Sequence, residues 1–297
     1  MNIKHLMVKL NQISSQYIGK IMYALLFMSV LEMLVSFVIL SPAMRLFQSG
    51  ADGFTLSFYV FVLAFIAICV WLTFQFGFTV MLLQMTRRKN TNLGYIFIGF
   101  KKINPAGKVI AVFGAFIALL ALISRFLAKF IYIKIFPDFS LEAPSIDSLQ
   151  NVTENPELVS SLAAGILIFT GFFLAVLFVL ALIILIRFVF VFHLHFDNPN
   201  LKIIEVFRKS AEMMHKNVIR LIVFALRAGG KQLLIAAFLA VISNFIPEEK
   251  YSAMSVLAFI ISIAYFVNLY TAAIRIYLTV PVLYEEIKNG SSEIENS

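Results

Sequence analysis

The sequence predicts an all-α fold, a polytopic bundle of six transmembrane helices that forms a single integral membrane domain over residues 1–297. Of the 297 residues, 61% are hydrophobic and 13% are charged, whereas a soluble domain is about half apolar and about a quarter charged. The apolar residues form long continuous runs. Only helices carry such runs across lipid, because the strands of a membrane barrel are short and alternate in polarity. The mean hydropathy of +0.93 excludes a water-soluble fold.

Six apolar runs match the length of about 20 residues that a spanning helix requires. Several are longer, which predicts tilt or extension beyond the bilayer. The segment before the first run is too polar for the hydrophobic region of a signal peptide, so we expect the first span to be retained. The six predicted spans cover residues 18–40, 56–85, 108–136, 158–192, 217–246 and 252–284.

The connections between these spans differ in charge. Lysines and arginines gather before the first span, after the second and after the fourth, whereas residues 138–157 include five acids and neither lysine nor arginine. Cytoplasmic loops are enriched in Lys and Arg, which predicts that both termini lie on the cytoplasmic side of the membrane. The net charge of +8 then indicates attraction to anionic inner-leaflet headgroups and argues against nucleic acid as a partner. The short polar tail, 288–297, is predicted to be disordered.

A three-fold internal repeat is predicted from the segments that follow the second and fourth spans. The residues at 90–93, NTNL, are similar to NPNL at 198–201, and each stretch stands between an inward and an outward span. Apolar residues also recur at helical spacing near the amino terminus. These features predict three units, each a cytoplasmic amphipathic helix plus a membrane hairpin, over residues 3–85, 90–192 and 198–285.

The clearest amphipathic helix is predicted over residues 201–216. Its charged face suits anionic headgroups, although its apolar face could equally pack against the bundle. Ser210 and His215 are interpreted as polar residues of this surface helix. The apolar face is predicted to contain Ile203, Ile204, Phe207, Ala211 and Met214. The cations predicted to contact inner-leaflet lipid are Lys202, Arg208, Lys209 and Lys216.

Five of the charged residues in the predicted spans are placed deep in the bilayer, where charges are costly and usually face protein or water. They line a polar cavity for an anionic headgroup or solute, or they form a buried ion-pair cluster, and the sequence leaves both interpretations open. Gly229-Gly230, between two of the cations, permits close helix approach or a local break. The candidate cluster consists of Glu32, Arg125, Lys129, Arg227 and Lys231.

One His-x-His-x-Asp set, made of His193, His195 and Asp197, stands at the inner end of the fourth span. In an extended segment these side chains share a face and suit a metal, whereas on a helix they splay apart. Their position at a span end favours interfacial polar residues over a metal site. Elsewhere the sequence contains no phosphate-binding glycine loop, zinc helix or nucleophile elbow, so we expect no cofactor and favour a non-enzymatic role.

The stretch Asp197-Asn198-Pro199, followed by Ser210 and by MMHK at 213–216, resembles a segment of an uncharacterised bacterial six-helix membrane family. That family is related to the membrane domain found beside some glycerophosphodiester phosphodiesterases. The stretch at 270–273, with Tyr277, is similar to the family's closing helix, although the preceding Pro-Tyr and a Trp-containing pattern in the fifth span are absent. The resemblance implies a six-helix topology and supplies no catalytic residue.

These features favour a non-enzymatic membrane bundle that binds lipid or a membrane-protein partner through its basic inner face. The alternative function is a carrier for a small anionic solute or lipid, which would use the cations inside the spans. An intramembrane metal enzyme built on His193, His195 and Asp197 ranks third.

Overall fold

Helices make up nearly all of the chain that the computed structural model describes. The described residues are 3–48, 53–89, 91–101, 103–135, 171, 173–177, 179–180, 185–243 and 253–295. None of these residues forms a strand, which confirms the all-helical class. The predicted polar connection at 138–157 and much of the predicted fourth span, 158–192, lie outside the described residues.

The described helices follow one another in a simple order. The first part contains α1 at Ile3–Gln48, α2 at Gly53–Thr86, a 3-10 turn at Leu93–Phe97, α3 at Ile98–Lys101 and α4 at Ile103–Ile135. A second 3-10 turn at Ile186–Phe188 precedes α5 at Val191–Asp197, α6 at Ile203–His215, α7 at Val218–Ser243 and α8 at Ala253–Glu295. Helix α8 continues to Glu295. The predicted disorder is therefore wrong for residues 288–295.

Four of these helices contain segments long and apolar enough to cross a membrane. They lie in α2, α4, α7 and α8, and the segments are Phe65–Thr86, Ala106–Ala128, Val218–Ser243 and Ala258–Gly290. A helix satisfies its own backbone hydrogen bonds, so apolar helices of this length suit a bilayer. The protein is therefore an all-helical chain with four candidate membrane spans among its described residues, while six spans remain a prediction.

The chain forms two compact units, residues 1–111 with 187–297, and residues 112–186. In the first unit α7 and α8 pack along each other as a hairpin, and α1 packs on α2, α7 and α8. Helix α2 also contacts the Leu93–Phe97 turn, α5 and α8. The second unit contains the greater part of α4. The first unit therefore brings together helices from both ends of the sequence.

Helix α1 is one continuous helix whose buried stripe begins near the amino terminus. Its fully or nearly fully buried apolar residues recur every three or four positions at Leu6, Leu10, Ile13, Tyr17, Ile21, Ala24 and Met28. This spacing keeps one helical face on the core. Polar contacts fix the same end, because Arg275 donates to Asn11 at 2.7 Å and Arg88 donates to Gln12 at 3.0 Å. Helix α1 thus runs without a break from the amino-terminal segment into the first predicted span.

Two glycines allow the chain after α2 to lie directly against that helix. A Cβ atom on Gly77 would overlap the carbonyl oxygen of Ile96, and one on Gly99 would lie 2.6 Å from the carbonyl oxygen of Thr73. Contacts this short displace backbone, which cannot yield as a flexible side chain can. Glycine at both positions therefore sets the position of the Leu93–Phe97 turn and α3 beside α2.

The α7–α8 hairpin depends on a similar close approach at one of its two adjacent glycines. A Cβ atom on Gly229 would lie 2.7 Å from Cγ1 of Ile276 and 3.1 Å from the carbonyl oxygen of Ala272, whereas one on Gly230 would meet nothing within 4 Å. Small residues let helix backbones approach closely in this way. Of the two interpretations for Gly229-Gly230, close approach is confirmed at Gly229, and α7 continues through both positions.

Candidate functional site

The amphipathic helix predicted over residues 201–216 is present as α6. All four cations predicted to contact lipid are exposed, namely Lys202, Arg208, Lys209 and Lys216. Nε of Arg208 lies 3.6 Å from Oε1 of Glu212, and these side chains are 68% and 66% exposed. A pair this exposed contributes little to stability. The charged face of α6 is therefore open to a ligand or a surface.

The buried face of α6 differs from the predicted one. It contains Val206, Ser210 and Met214, while Ile204 is 82% exposed. The Ser210 hydroxyl accepts a hydrogen bond from the Phe190 backbone N–H at 3.2 Å and donates one to the Arg187 carbonyl oxygen at 3.1 Å. Backbone groups that are buried need such partners. Ser210 is therefore buried rather than exposed. The exposure of Ile204 contradicts packing of this residue against the bundle, whereas its placement toward lipid stays a prediction.

The His-x-His-x-Asp set lies on the short helix α5, where His195 points away from the face that His193 and Asp197 share. His193 and His195 are buried, and Asp197 turns toward the end of α2. Residues two apart on a helix are about 200° apart around its axis, so they diverge. Among the described residues, no three His, Cys, Asp or Glu side chains are placed to hold a metal ion. The set instead supplies one member of an ion cluster.

We use the term ion cluster for Arg87, Asp197, Tyr284, Glu285 and Lys288. Arg87 donates to both carboxylate oxygens of Asp197, from Nη1 to Oδ1 at 2.9 Å and from Nη2 to Oδ2 at 2.7 Å. It also donates to Oε1 of Glu285, from Nε at 3.0 Å and from Nη2 at 2.7 Å. Paired donors of this kind give strong, oriented hydrogen bonds. One guanidinium therefore binds two carboxylates.

The carboxylate of Asp197 receives two further donors from α8. The Tyr284 hydroxyl donates to Oδ2 at 2.9 Å, and Nζ of Lys288 donates to the same oxygen at 2.6 Å. Two cations and two carboxylates make the cluster electrically neutral. The cluster thereby joins the residue after α2, the last residue of α5 and the carboxyl-terminal part of α8.

The electrostatics of the ion cluster favour its charged form. Burial alone would raise the pKa of Asp197, but hydrogen bonds from Arg87, Lys288 and Tyr284 outweigh burial and lower that pKa to about 2. The hydrogen bond to Asp197 raises the pKa of Arg87 further above its ordinary value, against the effect of burial. Hydrogen bonds to the charged form stabilise it. Both groups therefore stay ionised at neutral pH.

His193 lies beside the ion cluster in an aromatic environment. Its ring centroid is 5.1 Å from that of Tyr284 and 6.0 Å from that of Phe190. Burial lowers the pKa of His193 to about 3, although the nearby Asp197 carboxylate opposes that change. A buried cation without strong compensation is costly. His193 is therefore a neutral, packed side chain at neutral pH.

The arrangement of the ion cluster suits structural support better than chemistry. Asp197 accepts hydrogen bonds on both oxygens, and the Tyr284 hydroxyl donates to it, which leaves neither group poised as a base or nucleophile. Sequence reasoning selected Asp197 and missed its three partners, Arg87, Tyr284 and Lys288, and also Glu285, which bonds to Arg87. The charged members share one signal, their position after an apolar run, since Arg87 comes after α2 and Glu285 and Lys288 come after the predicted sixth span.

The charged residues predicted inside spans are described only in part. The side chains of Arg227 and Lys231, both on α7, are exposed, and neither forms a hydrogen bond or ion pair with another described residue. The side chains of Glu32, Arg125 and Lys129 lie outside what the structure describes. The shared cavity and the ion-pair cluster both remain predictions.

No protein-family model, curated protein or solved structure matches the chain. The family resemblance inferred from Asp197-Asn198-Pro199 and the residues after it therefore stays a prediction. Function has to be argued from the chain's own residues, above all the exposed cations of α6 and the supports that hold this helix.

Proposed function

We propose that the chain is a six-helix protein of the bacterial inner membrane, with both termini in the cytoplasm, which binds anionic phospholipid through α6 and catalyses no reaction. The observation that carries this proposal is the exposure of all four cations, Lys202, Arg208, Lys209 and Lys216. They belong to one amphipathic helix and its flanking residues, next to a candidate span that begins at Val218. A basic helix beside a membrane span suits the headgroup region.

Charge and shape both support this placement of α6. Each Lys or Arg near an anionic membrane surface contributes on the order of 1 kcal/mol to the free energy of membrane binding. The exposed Ile204 side chain, which would be unfavourable in water, can enter the boundary between headgroups and acyl chains. The hydrogen bonds of Ser210 hold the opposite face of α6 against residues 187–190. The cations therefore remain on the outer face of α6.

A direct test measures lipid selectivity in the purified protein. The variant with Lys202→Gln, Arg208→Gln, Lys209→Gln and Lys216→Gln is compared with wild type in nanodiscs that contain phosphatidylglycerol and phosphatidylcholine. Native mass spectrometry then counts the lipids that stay bound. We expect wild type to retain phosphatidylglycerol preferentially and the variant to lose most of that preference, because α6 no longer attracts anionic headgroups.

The same helix offers a matched control with the opposite charge change. The double variant Glu205→Gln with Glu212→Gln also neutralises side chains of α6. Its retention of phosphatidylglycerol should be unchanged or higher than that of wild type. Equal retention of the two lipids by wild type, or an unchanged preference in the four-cation variant, would overturn the proposal. In that case the exposed cations would be better explained as a surface for an acidic membrane-protein partner.

The alternative proposal is a carrier for a small anionic solute or lipid, and the exposure of Arg227 and Lys231 favours it. Insertion scales put the cost of Lys or Arg at mid-membrane at about 2.5–3.5 kcal/mol each, so two exposed cations on α7 need water or an anion around them. Arg227→Leu with Lys231→Leu should abolish anion uptake or lipid flipping in proteoliposomes without loss of folded protein. Unchanged transport, or no transport by wild type, dismisses the carrier.

A further inference from the structure

An open apolar groove separates α1 from the 3-10 turn at Leu93–Phe97. Its volume is about 400 Å³, and sites for small ligands typically occupy about 300–1,000 Å³. The walls are hydrophobic or aromatic throughout, and several wall residues are well exposed, including Tyr23 at 63% and Val30 at 56%. The lining residues are Tyr23, Leu26, Phe27, Val30, Leu93, Ile96 and Phe97.

The walls of this groove are held apart by rigid elements. One wall is a face of the continuous helix α1, and the other is fixed to α2 by the close approach at Gly77 and Ile96. The ring of Phe97 packs edge-on against Phe27 at 5.7 Å and against Phe74 at 5.8 Å. The groove is therefore a preformed site that needs little ordering when a ligand binds.

Lys20 lies just outside the apolar lining of the groove, on the same helix as Tyr23. Nζ of Lys20 donates to the carbonyl oxygen of Thr91 at 3.1 Å, and this bond joins α1 to the segment just before Leu93. Lys20 precedes Tyr23 by about one helical turn. The Lys20 side chain is exposed, and a lysine ammonium has three donors. Among the described residues the ammonium makes this one hydrogen bond and lies 5.9 Å from the Tyr17 ring centroid, so it can donate to a ligand as well.

The two segments that form the groove walls are rich in cations and poor in acids, and the nearest acid in sequence is Glu32. Neither residues 1–31 nor residues 53–137, which together include both walls, contain an Asp or Glu. Exposed Arg88 and Lys89 stand between α2 and the turn, and Arg88 bonds to Gln12 of α1. A ligand that complements these features carries a negative group at one end and a long apolar body.

We propose that this groove binds one acyl chain of an anionic phospholipid, with the lipid phosphate at Lys20. This inference rests on the proposed function as a lipid-binding membrane protein and adds a defined site apart from α6. Lys20 lies where the predicted first span begins, so a phosphate there sits at headgroup depth while the acyl chain follows α1 toward Val30. The open side of the groove admits a lipid laterally from the bilayer.

The site is tested by tryptophan fluorescence, because the chain has a single tryptophan, Trp71. In a Trp71→Phe background, Phe97→Trp places a reporter in the groove, and Tyr23→Trp provides a second one if the first variant does not fold. Lipids brominated on their acyl chains quench a tryptophan that they contact. We expect brominated phosphatidylglycerol to quench the reporter at about fivefold lower mole fraction than brominated phosphatidylcholine, as one charge contact predicts.

Two further variants decide the outcome. Lys20→Gln should remove the preference for phosphatidylglycerol in the groove, and Phe266→Trp, at a position 54% exposed on α8, should show no preference because it reports ordinary lipid contact. Equal quenching by both lipids in the groove, or a preference that survives Lys20→Gln, overturns the proposal. Exclusion of both lipids overturns it in favour of a protein segment in the groove.

The same reporter separates this inference from the proposed function. When the four α6 cations are changed to Gln, the groove preference should persist although overall retention of phosphatidylglycerol falls. If the groove reporter shows no preference while α6-dependent retention holds, the groove proposal alone fails. If both signals are absent in wild type, the lipid-binding function itself fails.

Discussion

The guanidinium of Arg87 binds the carboxylate of Asp197 through two parallel hydrogen bonds, 2.9 Å between Nη1 and Oδ1 and 2.7 Å between Nη2 and Oδ2. The two side chains are only 19% and 7% exposed. They are 110 residues apart in the sequence, so their pairing holds the end of α2 to the end of α5. Glu285 and Lys288 extend the same contact to α8.

Asp197→Asn should destabilise the folded protein strongly. The change leaves Arg87 and Lys288 with Glu285 as the remaining carboxylate of the cluster, and removing one partner of a buried pair typically costs about 3–5 kcal/mol. Thermal unfolding of the detergent-solubilised protein measures the loss. Arg208→Gln is the control, because the pair that it breaks is exposed and should cost less than about 1 kcal/mol. Equal effects of the two changes would contradict a supporting role for the ion cluster.

Stability should fall in mild acid because of His193. The pKa of His193 is lowered to about 3 in the folded protein against an ordinary value of 6.5, so between these values the unfolded chain binds a proton that the folded chain does not. The free energy of unfolding therefore rises with pH across this window, by up to about 1.4 kcal/mol per pH unit. The contribution of His193 reaches its full value above the ordinary pKa.

His193→Phe should flatten this dependence while keeping the ring contacts with Phe190 and Tyr284. The measurement is denaturant unfolding at several pH values between about 5 and 7. In this window Asp197 is ionised in the folded and the unfolded protein, since its pKa is about 2 in the folded state and its ordinary value is 3.8. A slope that persists in His193→Phe would assign the effect to another group.

The two adjacent glycines of α7 should respond in opposite ways to alanine. Gly229→Ala forces a methyl group against Ile276 and the Ala272 carbonyl, and such overpacking typically costs about 1–3 kcal/mol. Gly230→Ala meets open space and should stabilise α7 by up to about 1 kcal/mol, because alanine favours the helix. Melting temperatures of the two variants test this, and similar values for both would rule out the close approach at Gly229.

Ser210→Ala should weaken the attachment of α6. The change leaves the Phe190 N–H and the Arg187 carbonyl without the hydroxyl that both use, at a cost of about 1–3 kcal/mol. The exposed Ser15, which bonds only to the Gln12 carbonyl in its own helix, is the control. Hydrogen exchange of residues 203–215 should increase in Ser210→Ala and stay unchanged in Ser15→Ala. Unchanged exchange in both would show that the hydroxyl does not hold α6.

The helical class and the existence of α6 were predictable because both depend on local patterns of polarity. The burial of Ser210 was not predictable, since a helical wheel does not show the backbone groups of Arg187 and Phe190 that bond to its hydroxyl. The partners of Asp197 could not be predicted either. Asp197 is joined to them by hydrogen bonds across 87 to 110 residues of sequence, and such pairing depends on how the helices pack.

The separation in sequence between the members of the ion cluster also determines when the cluster can form during synthesis. Arg87 and Glu285 are 198 residues apart. Synthesis of the residues between them takes roughly 10–40 s at about 5–20 residues per second. During that time the guanidinium can pair with Asp197, which is 110 residues away, but not with Glu285. The ion cluster is therefore complete only after α8 has been made. A chain truncated before α8 would keep both members of the Arg87–Asp197 pair but lose the three partners that α8 supplies, Tyr284, Glu285 and Lys288.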